Sequence, residues 1–353
     1  MEFFAAPMDT PRLLERLAEH APQNPFCSPG FFKAMQHLGS DPWIAGMRKG
    51  DQLLSAAGVF LRRGRLNSTL EITSLPTAAG NEEFWCGLFR FSAEHGITQI
   101  EANSYASPSI AIPVLKYETE RRDRHEYVLD LHGFSVDRMS SSHRRNIRKA
   151  KSTGLMIRRS VDRDACLEHV RLINLSAQRR LRRGEEISGG PVMDEFLAFL
   201  ECGCGELFQT VTATNVLSSV LVLRSPSGAY YQSAGTAPEG MASGASHFLI
   251  NSIACQLRQE GLTTFNLGGA PVESSLARFK SGFGPTVVPL TSVSLYVGQV
   301  WRRKLTTLLL MARRNPRKLS PSSSATSVSN RHASGALLEP WYPSVFRVRS
   351  LVN

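Results

Sequence analysis

Lys280 stands in the run Phe279-Lys280-Ser281-Gly282-Phe283-Gly284, beside a ring that can hold it and two glycines that let backbone approach a ligand. A cation fixed there suits acyl transfer, because negative charge builds on the carbonyl oxygen as the leaving group departs. Tyr230 and Tyr231 offer phenols that could protonate a leaving thiolate or ribose oxygen, or could simply pack. His143 and His247 are solitary candidate bases. On a helix spanning His143–Lys151, Arg144 and Arg148 share one face, while Arg145 and Lys149 share the next. Two adjacent cationic faces suit a diphosphate or a nucleic-acid backbone. Ser140, Ser141 or Ser142 can cap that helix. A second basic run, Arg179–Arg183, reads as a solvated loop between two helices. No Gly-x-Ser-x-Gly elbow, P-loop or metal-ligand spacing occurs. Cys202-Gly203-Cys204 offers only two of the four ligands a structural zinc needs.

The elements that must position these groups follow from periodicity. Gly228–Thr236 reads as a strand, Ala237–Ala245 as a small-residue loop and Ser246–Glu260 as a helix with Leu249, Ile253 and Leu257 on one face. Ser246 is the expected cap and Gly261 the stop. Thr263–Leu267 returns as a strand and ends in Gly268-Gly269. A helix N-terminus behind a small-residue loop suits phosphate, so Gly240, Met241, Ala242, Ser243, Gly244, Ala245 and Ser246 form the expected donor-binding segment.

This order of elements, with Asn266-Leu267-Gly268-Gly269 and Phe279-Lys280-Ser281-Gly282-Phe283-Gly284, resembles the second domain of the Fem-type peptidoglycan aminoacyltransferases. It is equally similar to the BioF2-like and CelD-like acetyltransferases of the GNAT superfamily. The resemblance is strongest over residues 127–297 and fainter over 26–120. It implies an α/β fold of two tandem GNAT-like domains, each a mixed sheet flanked by helices, the first degenerate. It implies an acyltransferase that moves an acyl group, acetyl in the first instance, from acyl-CoA to an amine. Phe279 and Lys280 then serve the reacting end, with Tyr231 as the candidate catalytic phenol read from its own chemistry, and Arg144, Arg145, Arg148 and Lys149 serve an anionic or sugar-linked acceptor. The alternative donor is aminoacyl-tRNA in peptidoglycan synthesis. A non-catalytic binding module for an anionic polymer is the alternative of another class. Two departures bear on this. Ala237-Pro238-Glu239-Gly240-Met241-Ala242 lacks the leading Arg or Gln of CoA-binding loops, and Asn266 stands where the family more often has Asp.

Length and composition agree with two domains: 353 residues are 42% apolar. The expected divisions are a lead-in (1–25), a degenerate domain (26–125), an acyltransferase domain (126–298) and a basic tail (299–353). Strands are expected at Trp43–Arg48, Leu53–Leu61, Leu70–Leu75 and Ile97–Ala102, and a helix at Glu82–His95. Charge is uneven. Residues 143–183 carry thirteen Lys/Arg against three Asp/Glu, and residues 302–353 carry ten against one, within a net +11. Such concentration points to an anionic partner, with tRNA among the candidates. No run is long and apolar enough to span a bilayer, and Met1–His20 is not a secretory signal. Leu305–Ala312, an apolar block between arginines, could lie on an anionic membrane surface. The expected place is therefore cytoplasmic, with peripheral contact at the inner membrane face. The six cysteines are expected as reduced thiols, and no metal is expected.

Overall fold

Alternating apolar residues in both halves build strands that share one sheet. The computed structural model describes residues 1–64, 67–108, 110–184 and 190–299. The first half runs β1 (Glu2–Pro7), α1 (Leu13–His20), α2 (Pro29–His37), β2 (Asp41–Lys49), β3 (Gln52–Arg63), β4 (Ser68–Ile72), α3 (Glu82–Glu94) and β5 (Gln99–Asn103). The second begins with β6 (Glu118–Asp130), α4 (Ser141–Ser152), β7 (Met156–Ser160), α5 (Arg163–Arg182) and α6 (Met193–Glu201). It continues with β8 (Gly205–Val211), β9 (Val216–Arg224), β10 (Gly228–Thr236), α7 (Pro238–Ser243) and α8 (Ala245–Gln259). It closes with β11 (Thr264–Ala270), α9 (Ser275–Ser281) and β12 (Thr286–Tyr296).

The described strands form one twelve-stranded mixed sheet in the order β1-β2-β3-β4-β5-β12-β6-β11-β10-β9-β8-β7. The joint is β12. It pairs antiparallel with β5 of the first half over Ser292–Tyr296, and with β6 over Thr286–Leu295. One sheet face is covered by α3 in the first half and by Leu249, Ile253 and Leu257 of α8 in the second. The other face carries α2, α5 and α6 over a core that includes Phe26, Phe31, Phe199 and Tyr230.

Several expectations change. Residues 1–25 are no lead-in, because β1 pairs with β2 from Glu2↔Arg48 to Pro7↔Trp43 and Leu17 of α1 is fully buried. The division between residues 125 and 126 falls inside β6, and the last strand crosses back to the first half. Two sheets are thus merged into one. The small-residue loop after β10 is helical, as α7, with Pro238 in its first turn. Arg179–Arg182 are the last turns of α5, where cations suit the helix dipole. Arg179 donates to Thr236 O (3.1 Å) and Ser176 Oγ accepts from Thr236 N (3.0 Å), so α5 ties down the end of β10. All six cysteines are free, with Cys27, Cys166 and Cys204 buried and Cys86 exposed. Leu305–Ala312 and nearly all of the tail lie outside the described residues. Among the described residues no helix is long and apolar enough to cross a membrane.

Because β12 belongs to both halves, the chain should unfold in one cooperative step. Leu295→Ala, at a fully buried position on β12, should lower stability by about 2–5 kcal/mol in urea titrations. Two resolved transitions, one per half, would contradict the joint.

Candidate active site

The centre of the site is a gap between parallel neighbours. β10 and β11 pair only over Gly228↔Thr264, Ala229↔Phe265 and Tyr230↔Asn266. Beyond that they separate, for local reasons on both sides. β10 bulges against β9 between Tyr231 and Ser233, and β11 slips against β6 between Asn266 and Gly269. Asn266 Oδ1 takes the Gly268 N–H (2.8 Å), and Gly268 sits at φ +74°, which turns the strand away.

Glu126 of β6 spans the parting strands on one face. Its carboxylate, 1% exposed, accepts from Tyr230 Oη (2.8 Å), Asn266 Nδ2 (2.9 Å) and Ala106 N (3.0 Å). Burial raises its pKa, and the hydrogen bonds and the Lys280 charge act against that rise. Lys280 of α9 enters from the other face, 1% exposed. Its Nζ donates to Gly269 O (2.8 Å) and lies 5.4 Å from the Tyr231 ring centroid. Burial pulls its pKa well below that of an ordinary lysine, and Glu126 partly restores it. Lys280 and Tyr231 therefore meet, with Lys280 inside the protein. Tyr230 is different: its phenol is committed to Glu126, and burial raises its pKa well above the ordinary value.

Phe279 packs among rings from three helices. His143 and His247, far apart in sequence, stack edge to face at 4.6 Å, and Phe279 lies 5.7 Å from the first and 5.1 Å from the second. The Phe279 carbonyl can only accept, so His143 Nε2 carries the proton in their 2.8 Å bond. Its Nδ1 then accepts from the Ser140 hydroxyl (2.8 Å), while Ser140 Oγ caps α4 by accepting from His143 N. Both ring nitrogens are occupied, and burial lowers the pKa, so His143 is a neutral strut rather than a base. Burial and His143 bring His247 down to about 4. Gly282 is explained by the same strut: a Cβ there would lie 2.1 Å from the His143 ring. Thus Gly282 serves helix packing and not the approach of a ligand.

The glycines of the expected phosphate-binding segment are tightly packed. Gly240 and Gly244 are buried, and Cβ atoms there would lie 2.4 Å from Leu217 O and 2.6 Å from Asn146 O. Gly244 at φ +78° begins α8, so Ser246 is not its cap; Ser246 Oγ instead bonds Thr236 Oγ1 (2.8 Å). Ala245 is fully buried, Ser243 is half-buried, and Met241 and Ala242 are exposed. The cations beside them are better placed. Arg144 is half-buried and donates to Asp137 O (3.1 Å), while Arg145, Arg148 and Lys149 are exposed on the helix that presses Asn146 against Gly244. A surface cleft of about 760 Å³ opens near α7, lined by Arg158, Asp162, Glu168, Arg171 and Glu239 among others, but none of the expected site residues lines it. No group that could hold a metal occurs among the described residues.

Residues 137–281 match the family model described as an acetyltransferase (GNAT) domain. They belong to the GNAT superfamily. The chain accordingly carries a GNAT acetyltransferase domain over these residues. No curated protein matches the chain. Among solved structures, a crystal structure of FemX aligns over 88% of this chain and 100% of its own, at 12% identity and TM-score 0.61. A tandem GNAT protein from the clavulanic acid biosynthesis pathway covers 84% and 99%, at 13% identity and TM-score 0.50. L-PGS from Bacillus licheniformis covers 88% and 98%, at 14% identity and TM-score 0.50. At these identities the likeness is one of fold, and the fold is that of tandem GNAT domains.

The sequence reading missed Glu126, and with it the reason for Asn where the family more often has Asp. With Asp at position 266, two carboxylates would face each other at the 2.9 Å contact, so Asn266 is what Glu126 requires. Asn266→Asp should cost about 1–3 kcal/mol at pH 7, with the loss shrinking at low pH where the pair can share a proton. Urea titrations at pH 7 and pH 5 measure it, and an unchanged midpoint at pH 7 would refute the assignment.

Proposed function

We propose that the GNAT domain moves an acyl group from an activated, phosphate-bearing donor to an amine, with the acyl carbonyl seated where β10 and β11 part. The parting itself supports this most directly, since it leaves Lys280 fixed between the strands rather than on the surface. The acceptor nitrogen attacks the carbonyl carbon, a C–N bond forms and the bond to the leaving group breaks. Lys280 stabilises the oxyanion, and the proton shed by nitrogen passes to the leaving atom, with the Tyr231 phenol at hand as relay.

Acetyl-CoA is one donor of this class. The second reading is aminoacyl-tRNA, whose polynucleotide backbone side-chain cations can hold. Arg145, Arg148 and Lys149 are the cations for either. Work in cell-envelope or polysaccharide biosynthesis at the cytoplasmic membrane face belongs to the same proposal and rests on the Fem-type resemblance.

Lys280→Ala should lower kcat about 10²–10³-fold, the cost of removing one group that stabilises an oxyanion. Since burial lowers the Lys280 pKa, the charged form is lost as pH rises, and activity should fall on that limb. Lys280→Arg keeps its charge and should remove the limb while restoring only part of the rate. Near-normal turnover in Lys280→Ala, or a rate that climbs along that limb, would defeat the oxyanion role.

Thermal shift with acetyl-CoA, longer acyl-CoAs and aminoacyl-tRNA separates the donors. The true donor should stabilise the protein, and a variant with Arg145, Arg148 and Lys149 all changed to Ala should lose that shift. Stabilisation retained by the triple variant would remove α4 from the donor site. Gly244→Asp is not a clean test, because a side chain there disrupts the packing of α4 on α8.

A further inference from the structure

One residue of β10 pairs with neither neighbouring strand. β10 stays with β11 only as far as Tyr230↔Asn266, and with β9 it pairs Tyr231↔Val222 and then Ser233↔Leu221. Gln232 is the extra residue between them, where β10 has already left β11. The bulge also resets which way the strand faces. Tyr230 and Ser233, three apart, would lie on opposite faces of an unbroken strand. Here Tyr230 packs in the core under α5, and Ser233 bonds His169 of α5.

A buried histidine holds the bulge in that register. His169 is fully buried and bridges two strands, its Nδ1 2.9 Å from Ser219 Oγ of β9 and its Nε2 2.8 Å from Ser233 Oγ of β10. Gln209 sets the direction of these bonds. Its Oε1 accepts from Arg158 Nε (3.1 Å) and its Nε2 donates to Ala165 O (2.9 Å), which fixes the amide. The same Nε2 donates to Ser219 Oγ (3.3 Å), so the Ser219 hydroxyl donates to His169 Nδ1 and His169 Nε2 donates to Ser233. Burial brings the His169 pKa down to about 3, so the bridge stays neutral at ordinary pH. What this clamp presents is Gln232, 3% exposed, whose Oε1 has no hydrogen-bond partner among the described residues. A buried amide oxygen left unbonded weakens a fold, so its retention beside a reaction site points to a ligand that completes it.

We propose that the Gln232 carboxamide receives the N–H of the acceptor amine where β10 and β11 part, and that His169 positions it by clamping the bulge. The assignment rests on the acyltransferase reading and adds to it the group that orients the nucleophile. Gln232 follows Tyr231, whose ring centroid lies 5.4 Å from Lys280 Nζ, so it adjoins the place given to the acyl carbonyl. An amide oxygen accepts a hydrogen bond and takes no proton, which leaves the nitrogen lone pair free to attack. Nitrogen gains positive charge as the C–N bond forms, so this hydrogen bond strengthens toward the transition state. The proton then leaves nitrogen for the departing atom. A carboxylate at the same position would hold the amine as ammonium, which has no lone pair to give.

Hydroxylamine is a minimal amine that an activated acyl donor converts to a hydroxamate, so it serves as acceptor probe with acetyl-CoA and with aminoacyl-tRNA. With the donor that the full chain uses, Gln232→Leu should lower kcat for hydroxamate formation about tenfold or more, with the donor KM within about twofold of the parent. The same variant should melt no lower than the parent, because it removes a buried oxygen that has no partner. His169→Gln, whose amide again offers an acceptor and a donor, should keep the rate. His169→Phe fills the space but bonds neither serine, and should lose it. A parental rate in Gln232→Leu, or a slow rate with a marked fall in melting temperature, would overturn the assignment to Gln232. His169→Phe as active as His169→Gln would overturn the clamp. If the parent forms no hydroxamate with either donor, the acyltransferase reading itself falls and takes the assignment with it.

Discussion

A carboxylate with almost no exposure to water decides the shape of this site. Glu126 is acceptable in the interior only because three donors face it, and two of those donors sit on the strands that must part. Tyr230 belongs to β10 and Asn266 to β11, so the hydrogen bonds that satisfy Glu126 also fix how far apart the strands can go. Lys280 completes the arrangement from the opposite face, where Gly269 O becomes available because β11 has already turned. The cation and the anion answer each other through the sheet. Each moves the other's pKa toward the charged form, against the burial that favours neutrality.

Such a centre needs a rigid frame, and the frame comes from the way the halves are joined. Glu126 lies on the strand that opens the second half, and β12, the last described strand, lies beside it and reaches β5. The first half thus contributes backbone, through Ala106 N, to the carboxylate that organises the second. This explains why a half without the acyltransferase motif still matters: it supplies the β5 neighbour of β12 and one donor to Glu126. Sequence-distant strands brought together in this way impose a large loop-closure cost, met by the long β6–β12 ladder.

Much of the fold was legible because it is periodic. Leu249, Ile253 and Leu257 mark α8, and Gly261, at φ +85° after Glu260, stops it as a glycine should. Lys280 stood out through its motif, but its meeting with Tyr231 comes only from the fold. The parts that escaped are those in which tertiary partners override local signals. Ala237–Ala245 read as a loop, yet Pro238–Ser243 curl into α7, with Gly240 packed on the backbone at Leu217 and Gly244 on that at Asn146. Arg179 read as a solvated charge, yet it secures the Thr236 carbonyl. Glu126 lies among Arg121, Arg122, Arg124 and Asp123 and so looks like one more surface charge on an edge-like strand. Only the ladder with β11 and β12 shows that it is interior. The histidine pair was equally hidden, since nothing near His143 refers to residue 247.

The tight junction at Gly244 bears on how the proposed donor would be held. An open loop recognises phosphate with fixed backbone N–H groups. Here Met241 N and Gly244 N are spent on Ala237 O (3.1 Å) and Met241 O (3.3 Å). Beside them Arg145, Arg148 and Lys149 are exposed on α4. Side chains of this kind bind through charge, are screened over about 8–10 Å at ordinary ionic strength, and favour ligands with many phosphates over ligands with two or three. The same α4 delivers Asn146 to Gly244 and His143 to Phe279, so whatever binds its outer face presses directly on the wall of the acyl site.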